Sequence, residues 1–274
     1  MGQAGRPDYL WPLFADLTSL EGVGPKTAEH FAGIEVKIPK DLILTLPTNG
    51  VDRRRQSSIQ DIALPGVATV EVTVGRHHKP AGRGPYRVEV EDAKTSFQLI
   101  FFHARAPYLA QILPVGERRV VSGKVDLFDG IAQMAHPDHV LPPQDAATIP
   151  DFEPVYPLSQ GLTQKGVARA MASALAHVPH LGEWIDLPLC DEKQWPAWRA
   201  AIHTAHHPKH ASDLLPTTKA RERLAFDELF AHQLTLALAR AKARRRPGVV
   251  TQGDGRLRDK VLANLPFQPT GAQS

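Results

Sequence analysis

Three groups of side chains in this sequence have the chemistry to meet a polyanion or an unpaired base. The first is Leu20-Glu21-Gly22-Val23-Gly24-Pro25-Lys26-Thr27-Ala28. Two glycines flanking one apolar residue make a tight turn, because positions without a Cβ accept unusual dihedrals. Pro25 suits the first turn of a helix. The free N–H groups at that helix start would seat a phosphate, with Lys26 beside them. A turn that only packs one helix on another has the same spacing. The second group is Phe97–Phe102 and the cations around it. Phe101 and Phe102 are neighbours in a period-two stretch, so they point to opposite faces and at most one is core. The other is free to stack on an unpaired base, a contact of about 1–3 kcal/mol, or packs on the helical stretch holding Tyr108 and Leu109. The loop His77-His78-Lys79-Pro80-Ala81-Gly82-Arg83-Gly84 carries Lys79 and Arg83, with Arg76 and Arg87 at its ends. The third group is Asp52-Arg53-Arg54-Arg55, whose guanidinium forks suit phosphate.

The elements that must position these groups are legible from periodicity. Residues 8–60 read as short helices around the glycine turn. From residue 61 apolar and polar residues alternate in 67–74, 86–90, 97–102 and 119–125, with a weaker run at 131–134. Period two marks strands with one buried face. Between the third and fourth runs, Ala106–Leu113 has helical spacing and ends at Pro114. Five strands with a helix between the third and fourth is the layout of an OB-fold barrel. Residues 142–162 hold Pro142, Pro143, Pro150, Pro154 and Pro157, a semi-rigid connector. Helices follow at Gln164–His177, Lys193–Thr204 and Thr217–Arg246, the last with an apolar stripe through Phe226, Leu229, Phe230, Leu234 and Leu238. The fold class expected is α+β, divided as 1–60, 61–142, 143–216 and 217–274.

Composition narrows the possibilities. The chain has 274 residues, a formal charge of +3, 42% hydrophobic and 22% charged residues. That mildly basic balance permits a nucleic-acid partner without requiring one. Cys190 is the single cysteine, so no internal disulfide or CxxC zinc pair is possible. The thirteen histidines lack the spacing of a metal site. No run reaches the ~20 apolar residues of a membrane span, and no secretion signal is expected from the N-terminus, so a cytoplasmic setting follows. GxxxxGK[ST], GxSxG, HExxH and paired-carboxylate patterns are missing. No catalytic residue and no metal are expected.

Taken in order, these pieces resemble the N-terminal, wedge-containing part of RecG-type ATP-dependent DNA helicases, and the glycine turn resembles a helix-hairpin-helix. The resemblance is carried by Leu42-Ile43-Leu44-Thr45-Leu46-Pro47 with Asp52-Arg53-Arg54. It continues through Ile100-Phe101-Phe102-His103, Gly123-Lys124-Val125, Gln133-Met134-Ala135-His136-Pro137, Pro154-Val155-Tyr156-Pro157 and Arg221–Leu229. It ends in Leu265-Pro266-Phe267-Gln268-Pro269-Thr270-Gly271-Ala272-Gln273, similar to a glutamine motif. The resemblance implies a chain that stops before the motor lobes of a superfamily 2 helicase active in fork regression, recombination and repair. It implies a monomer that binds branched DNA (forks and Holliday-type junctions) and single-stranded DNA through Phe101 or Phe102, Arg76, Lys79, Arg83, Arg87, Lys26, Arg53 and Arg54. ATP and Mg would belong to the full-length family, with Gln273 and Phe267 an orphan half-site. The alternatives are a protein-interaction module on an OB barrel, or a truncated product without a function of its own.

Overall fold

A computed structural model describes residues 5–80, 82, 84–244, 248 and 252–271. The chain divides by its internal contacts into Met1–Phe226 and Asp227–Ser274. The first unit opens with a 3-10 segment, Asp8–Phe14, and helices α1 (Pro25–Ala32) and α2 (Pro39–Leu44). Strand β1 (Asn49–Asp52) follows. Next comes the barrel, made of β2 (Gly66–His78), β3 (Tyr86–Glu91), β4 (Ser96–Phe101), helix α3 (Ala106–Ile112), β5 (Arg118–Phe128) and β6 (Ile131–Ala135).

The alternation read from sequence is what closes the barrel. In β3, Tyr86, Val88 and Val90 are buried while Arg87, Glu89 and Glu91 face out, so one face is a continuous apolar surface. Neighbours run β2-β3-β4-β6-β5, and β5 pairs back to β2 to complete the ring. All pairs are antiparallel except β4 with β6. Strand β2 spans 13 residues and bends at a bulge between Val74 and His77, which lets one strand serve two neighbours. Helix α3 caps the ring by adding Leu109 and Leu113 to the barrel core. At Gly123 a Cβ would lie 3.1 Å from both Met134 Sδ and Pro137 Cα, so the crossing is tight and a side chain here would push on its neighbours.

Beyond the barrel lie β7 (His139–Leu141), β8 (Phe152–Val155), α4 (Gln164–Ala176), α5 (Leu187–Lys193), α6 (Trp198–His206) and α7 (Lys219–Arg244). Strand β8 pairs with β1, from Asn49 opposite Val155 to Asp52 opposite Phe152. The proline-rich stretch is therefore partly strand, because Pro154 sits on an isolated two-stranded ribbon where a missing N–H can be borne. Helices on both sides of the barrel build one core: Leu13, Phe31 and Ile43 pack with Val167, Met171 and Ile202. Sequence reading kept 1–60 and 143–216 apart; burial joins them.

The helix expected over Lys193–Thr204 begins only at Trp198, and a separate helix, α5, precedes it where none was expected. Gln194 adopts φ 56°, Pro196 follows, and α5 ends there before α6 starts at Trp198. The long helix begins at Lys219 rather than Thr217, and residues 245–246 lie outside the described residues. Its first turns are anchored within the first unit. Arg223 is fully buried and forks onto Glu183 with bonds of 2.8 and 2.9 Å, while Arg221 donates to the Pro47 carbonyl at 2.7 Å. Burial alone would raise the Glu183 carboxyl; the Arg223 fork and the N–H groups of Ile185 and Trp184 outweigh it and hold the group low. The second unit contains the rest of α7, on which Leu229, Leu234 and Leu238 are exposed, and α8 (Arg256–Ala263).

Arg53, expected to meet phosphate, is 6% exposed and cannot. Its guanidinium donates to Glu153, to Ser122 Oγ at 2.9 Å and to Asp138 Oδ2 at 2.9 Å. Those three partners lie on β8, β5 and the segment before β7, so one side chain ties the ribbon to the barrel. The His139 imidazole 3.6 Å away, then Arg53, hold the Glu153 carboxyl below its ordinary value against the cost of burial. Arg54 is exposed but bonded to Asp52.

Candidate nucleic-acid interface

The chain leaves β4 at Phe101 and turns toward α3, and this turn separates the two aromatic neighbours. Phe101 is 7% exposed and belongs to the barrel core, so it is not a stacking surface. Phe102 is 49% exposed. Its ring rests on His136, with centroids 5.6 Å apart and planes tilted by 33°, rather than on Tyr108 or Leu109.

His136 fixes this arrangement from behind. Strands β4 and β6 run parallel, with Ile100 opposite Ala135, which places His136 beside the chain at Phe102. Its backbone N–H donates to the Ile100 carbonyl at 2.8 Å, and its Nε2 accepts the Phe102 N–H at 3.1 Å. An accepting Nε2 is unprotonated, so the neutral ring carries its hydrogen on Nδ1. Both His136 (φ 47°) and His103 (φ 58°) occupy the left-handed region, which is uncommon for side chains with a Cβ. Strain of that kind persists where surrounding bonds over-determine it, and here it aims Phe102 outward.

Phe102 borders a groove of about 640 Å3 that also touches Lys79, Pro80, Gly82, Gly84, Tyr86 and His103. The β2–β3 loop and the end of β4 meet because Tyr86 is paired with Phe101. Arg83 lies outside the described residues, between two glycines that do line the groove. Arg76 sits exposed at the β2 bulge and Arg87 faces out from β3 opposite His78. Neither they nor Lys79 forms an ion pair among the described residues, and of the three only Lys79 lines the groove.

The other candidates lie elsewhere. Lys26 is exposed at the start of α1, but the glycine turn before it docks on α4. Glu21 pairs with Arg169 at 2.8 Å and its N–H donates to Ser173 at 3.0 Å. Gly22 has φ +78°, and the element before it is the 3-10 turn Leu17–Ser19, so the first helix expected of a helix-hairpin-helix is replaced by that turn. Phe267 is exposed in the second unit, and Gln273 lies outside the described residues. Sequence reading missed three features. The propping role of His136 depends on a parallel strand pair that no local pattern announces. Arg105 is exposed at the start of α3. The tip of the β5–β6 hairpin exposes Leu127, Phe128 and Ile131.

A closed five-stranded OB-type barrel that presents one propped aromatic at its rim defines the class: a wedge-type OB barrel. The RecG wedge domain family model matches residues 16–178, and the chain belongs to that family. It is 28% identical over 271 residues to the ATP-dependent DNA helicase RecG of Acidithiobacillus ferridurans, covering 95% of this chain. It is 31% identical over 268 residues to that of Escherichia coli (strain K12), covering 94%. In each case it spans 38% of the relative's length. The solved structure of RecG bound to a three-way DNA junction shares the fold at a TM-score of 0.65 and 23% identity. That match covers 94% of this chain and 35% of the other. Among the described residues no helix is long and apolar enough to cross a membrane, and no group of three or more His, Cys, Asp or Glu could hold a metal.

Proposed function

We propose that this chain is the junction-holding part of a DNA helicase, binding forks and related branched DNA with an unpaired strand at the branch. The observation that carries the reading is Phe102, half exposed and locked over His136 beside a groove lined by the unpaired Lys79. Bases offer a π-face whatever their identity, so a fixed aromatic caps the end of a separated strand without reading sequence. Lys79, Arg76 and Arg87 hold phosphates, which positions the strand; Arg83 and Arg54 add charge. The helicase names of the relatives and the junction bound in the similar structure support the same reading.

The reading assigns 61–142 to the wedge, 1–60 and 143–216 to its bracing, and 217–274 to the link toward a motor. The motor would supply ATP and Mg chemistry and use the wedge to regress forks in a bacterial cytoplasm, with one copy of the chain per junction. Phe102→Ala is expected to weaken fork binding by about 1–3 kcal/mol and to spare matched duplex, measured by fluorescence anisotropy. Equal losses on both would refute stacking. Affinity should fall steeply with salt as phosphate contacts release counterions. The apolar tip at Leu127, Phe128 and Ile131 favours a second reading as a protein-interaction surface, which a flat salt dependence would select.

A further inference from the structure

The tip of the β5–β6 hairpin carries Leu127, Phe128 and Ile131, all exposed. Asp129 (φ 50°) and Gly130 (φ 76°) close it as a two-residue turn with both positions left-handed. An Asp-Gly turn of this form matches the twist of its strands and holds the tip in one shape. Phe128 is opposite Ile131, so these two side chains share one face, and Leu127 with Ala132 occupies the other. Single apolar side chains on a surface are ordinary, but a contiguous group rimmed by polar residues marks a contact site.

Ile131 also borders a hollow of about 300 Å3 on the outer wall of the barrel, together with Glu89, Glu91, Ser96 and Gln98. It opens where the hairpin runs past the start of the β4–β6 ladder, which begins at Gln98 opposite Gln133. Among the described residues no Lys or Arg lines it. Glu89 meets His78 at 2.8 Å, while Glu91 and Asp129 form no ion pair among the described residues.

We propose that the tip and this hollow form a docking site for a partner protein, taking a segment in which an apolar anchor is flanked by lysine or arginine. The anchor packs on Phe128 and Ile131, and its cations meet Glu91 and Glu89. Charge complementarity selects this occupant. A nucleic-acid strand would bring phosphates to two carboxylates, and like charges set together are costly. The site leaves the Phe102 end of the barrel free. Ser96 borders the hollow and Phe102 follows the other end of β4, roughly 20 Å away along the strand. The inference rests on the protein-contact reading of the tip, gives that reading its partner chemistry, and lets a partner and a junction be held at once.

The probe is a fluorescein-labelled decapeptide with a Phe-Leu-Lys-Lys core between glycine and serine residues, set against a Phe-Leu-Glu-Glu counterpart. Binding to the whole 274-residue chain is read by anisotropy. The lysine peptide is expected to bind at least tenfold more tightly than the glutamate one. Phe128→Ser and Ile131→Ser should each weaken it at least fivefold, and Glu91→Gln about threefold, the scale of one exposed ion pair. Asp145→Asn, at an exposed carboxylate on the Pro143–Thr148 turn, should leave it unchanged. The altered side chains are exposed, so urea midpoints should stay at the parent value. Fork binding should be the same in all four variants, and excess fork should not displace the lysine peptide. Equal affinities for the two peptides, both lost in Phe128→Ser, would overturn the cationic partner and leave a protein contact at the tip. Undiminished binding of the lysine peptide by Phe128→Ser and Ile131→Ser would overturn the contact reading as well. Weaker fork binding by Phe128→Ser would assign the tip to DNA and overturn both.

Discussion

Arg53→Ala is expected to lower the unfolding free energy by about 3–5 kcal/mol, the usual consequence of deleting one member of a buried ion pair. The cost arises because Glu153, Asp138 and Ser122 keep their places with their donor gone. Ser122 is itself buried and bonded to Thr69 at 2.7 Å, so the loss reaches two barrel strands. Urea midpoints give the number directly. The phosphate-contact alternative makes the opposite forecast: stability near that of the parent, with a weaker salt dependence of DNA binding. Pairing Arg53→Met with Glu153→Leu should recover much of the loss, since an apolar pair of similar volume often substitutes for a buried ionic one. No recovery, with an unchanged midpoint for Arg53→Ala, would show that the hub is not holding the ribbon.

The second large effect belongs to His206. It is 2% exposed and bridges the helices: Nε2 faces the Ile43 carbonyl at 2.8 Å and Nδ1 faces the Tyr156 hydroxyl at 3.0 Å. A carbonyl only accepts, so Nε2 carries the hydrogen and Nδ1 accepts from Tyr156. Burial brings the imidazole down from 6.5 to about 4 and pushes the Tyr156 phenol up. Because the folded value lies below the unfolded one, it is the unfolded chain that takes up the proton as pH falls. The contribution is therefore complete above pH 6.5 and is lost between 6.5 and about 4. By linkage it amounts to about 3 kcal/mol. Urea midpoints at pH 7.5 and pH 4.5 should diverge accordingly, and His206→Gln should flatten that slope while being less stable at pH 7.5. Parallel slopes for parent and variant would locate the acid sensitivity elsewhere.

What was legible in the sequence was whatever depends on local period or on one residue's shape. The strands of the barrel appear as alternation, α3 as a helical interval closed by Pro114, and α4 as a helical run from Gln164; its cap, the Thr163 hydroxyl accepting the Gly166 N–H at 3.1 Å, is visible only in the structure. That one of Phe101 and Phe102 must face outward follows from the two-residue repeat; which one does so depends on the turn after β4. What stayed hidden depends on distant partners. Arg53 and Arg54 look equivalent in a basic run, yet only Arg53 has acceptors roughly 70 to 100 positions away. His136 acquires its role from β4, across a parallel pairing. The stripe on α7 was legible as a stripe, but a period cannot say whether anything covers it.

The ribbon of β1 and β8 has a consequence for how the chain folds. Asn49 and Val155 are opposite each other although more than a hundred residues separate them. The barrel thus hangs as a closed loop from a core that needs both flanks. Closing a loop of that length costs chain entropy that grows as (3/2)RT ln n, on the order of 4 kcal/mol. A barrel that folds first holds its two ends side by side and removes most of that penalty. Mutations that loosen the barrel are therefore expected to slow assembly of the helical core, although they touch none of its side chains.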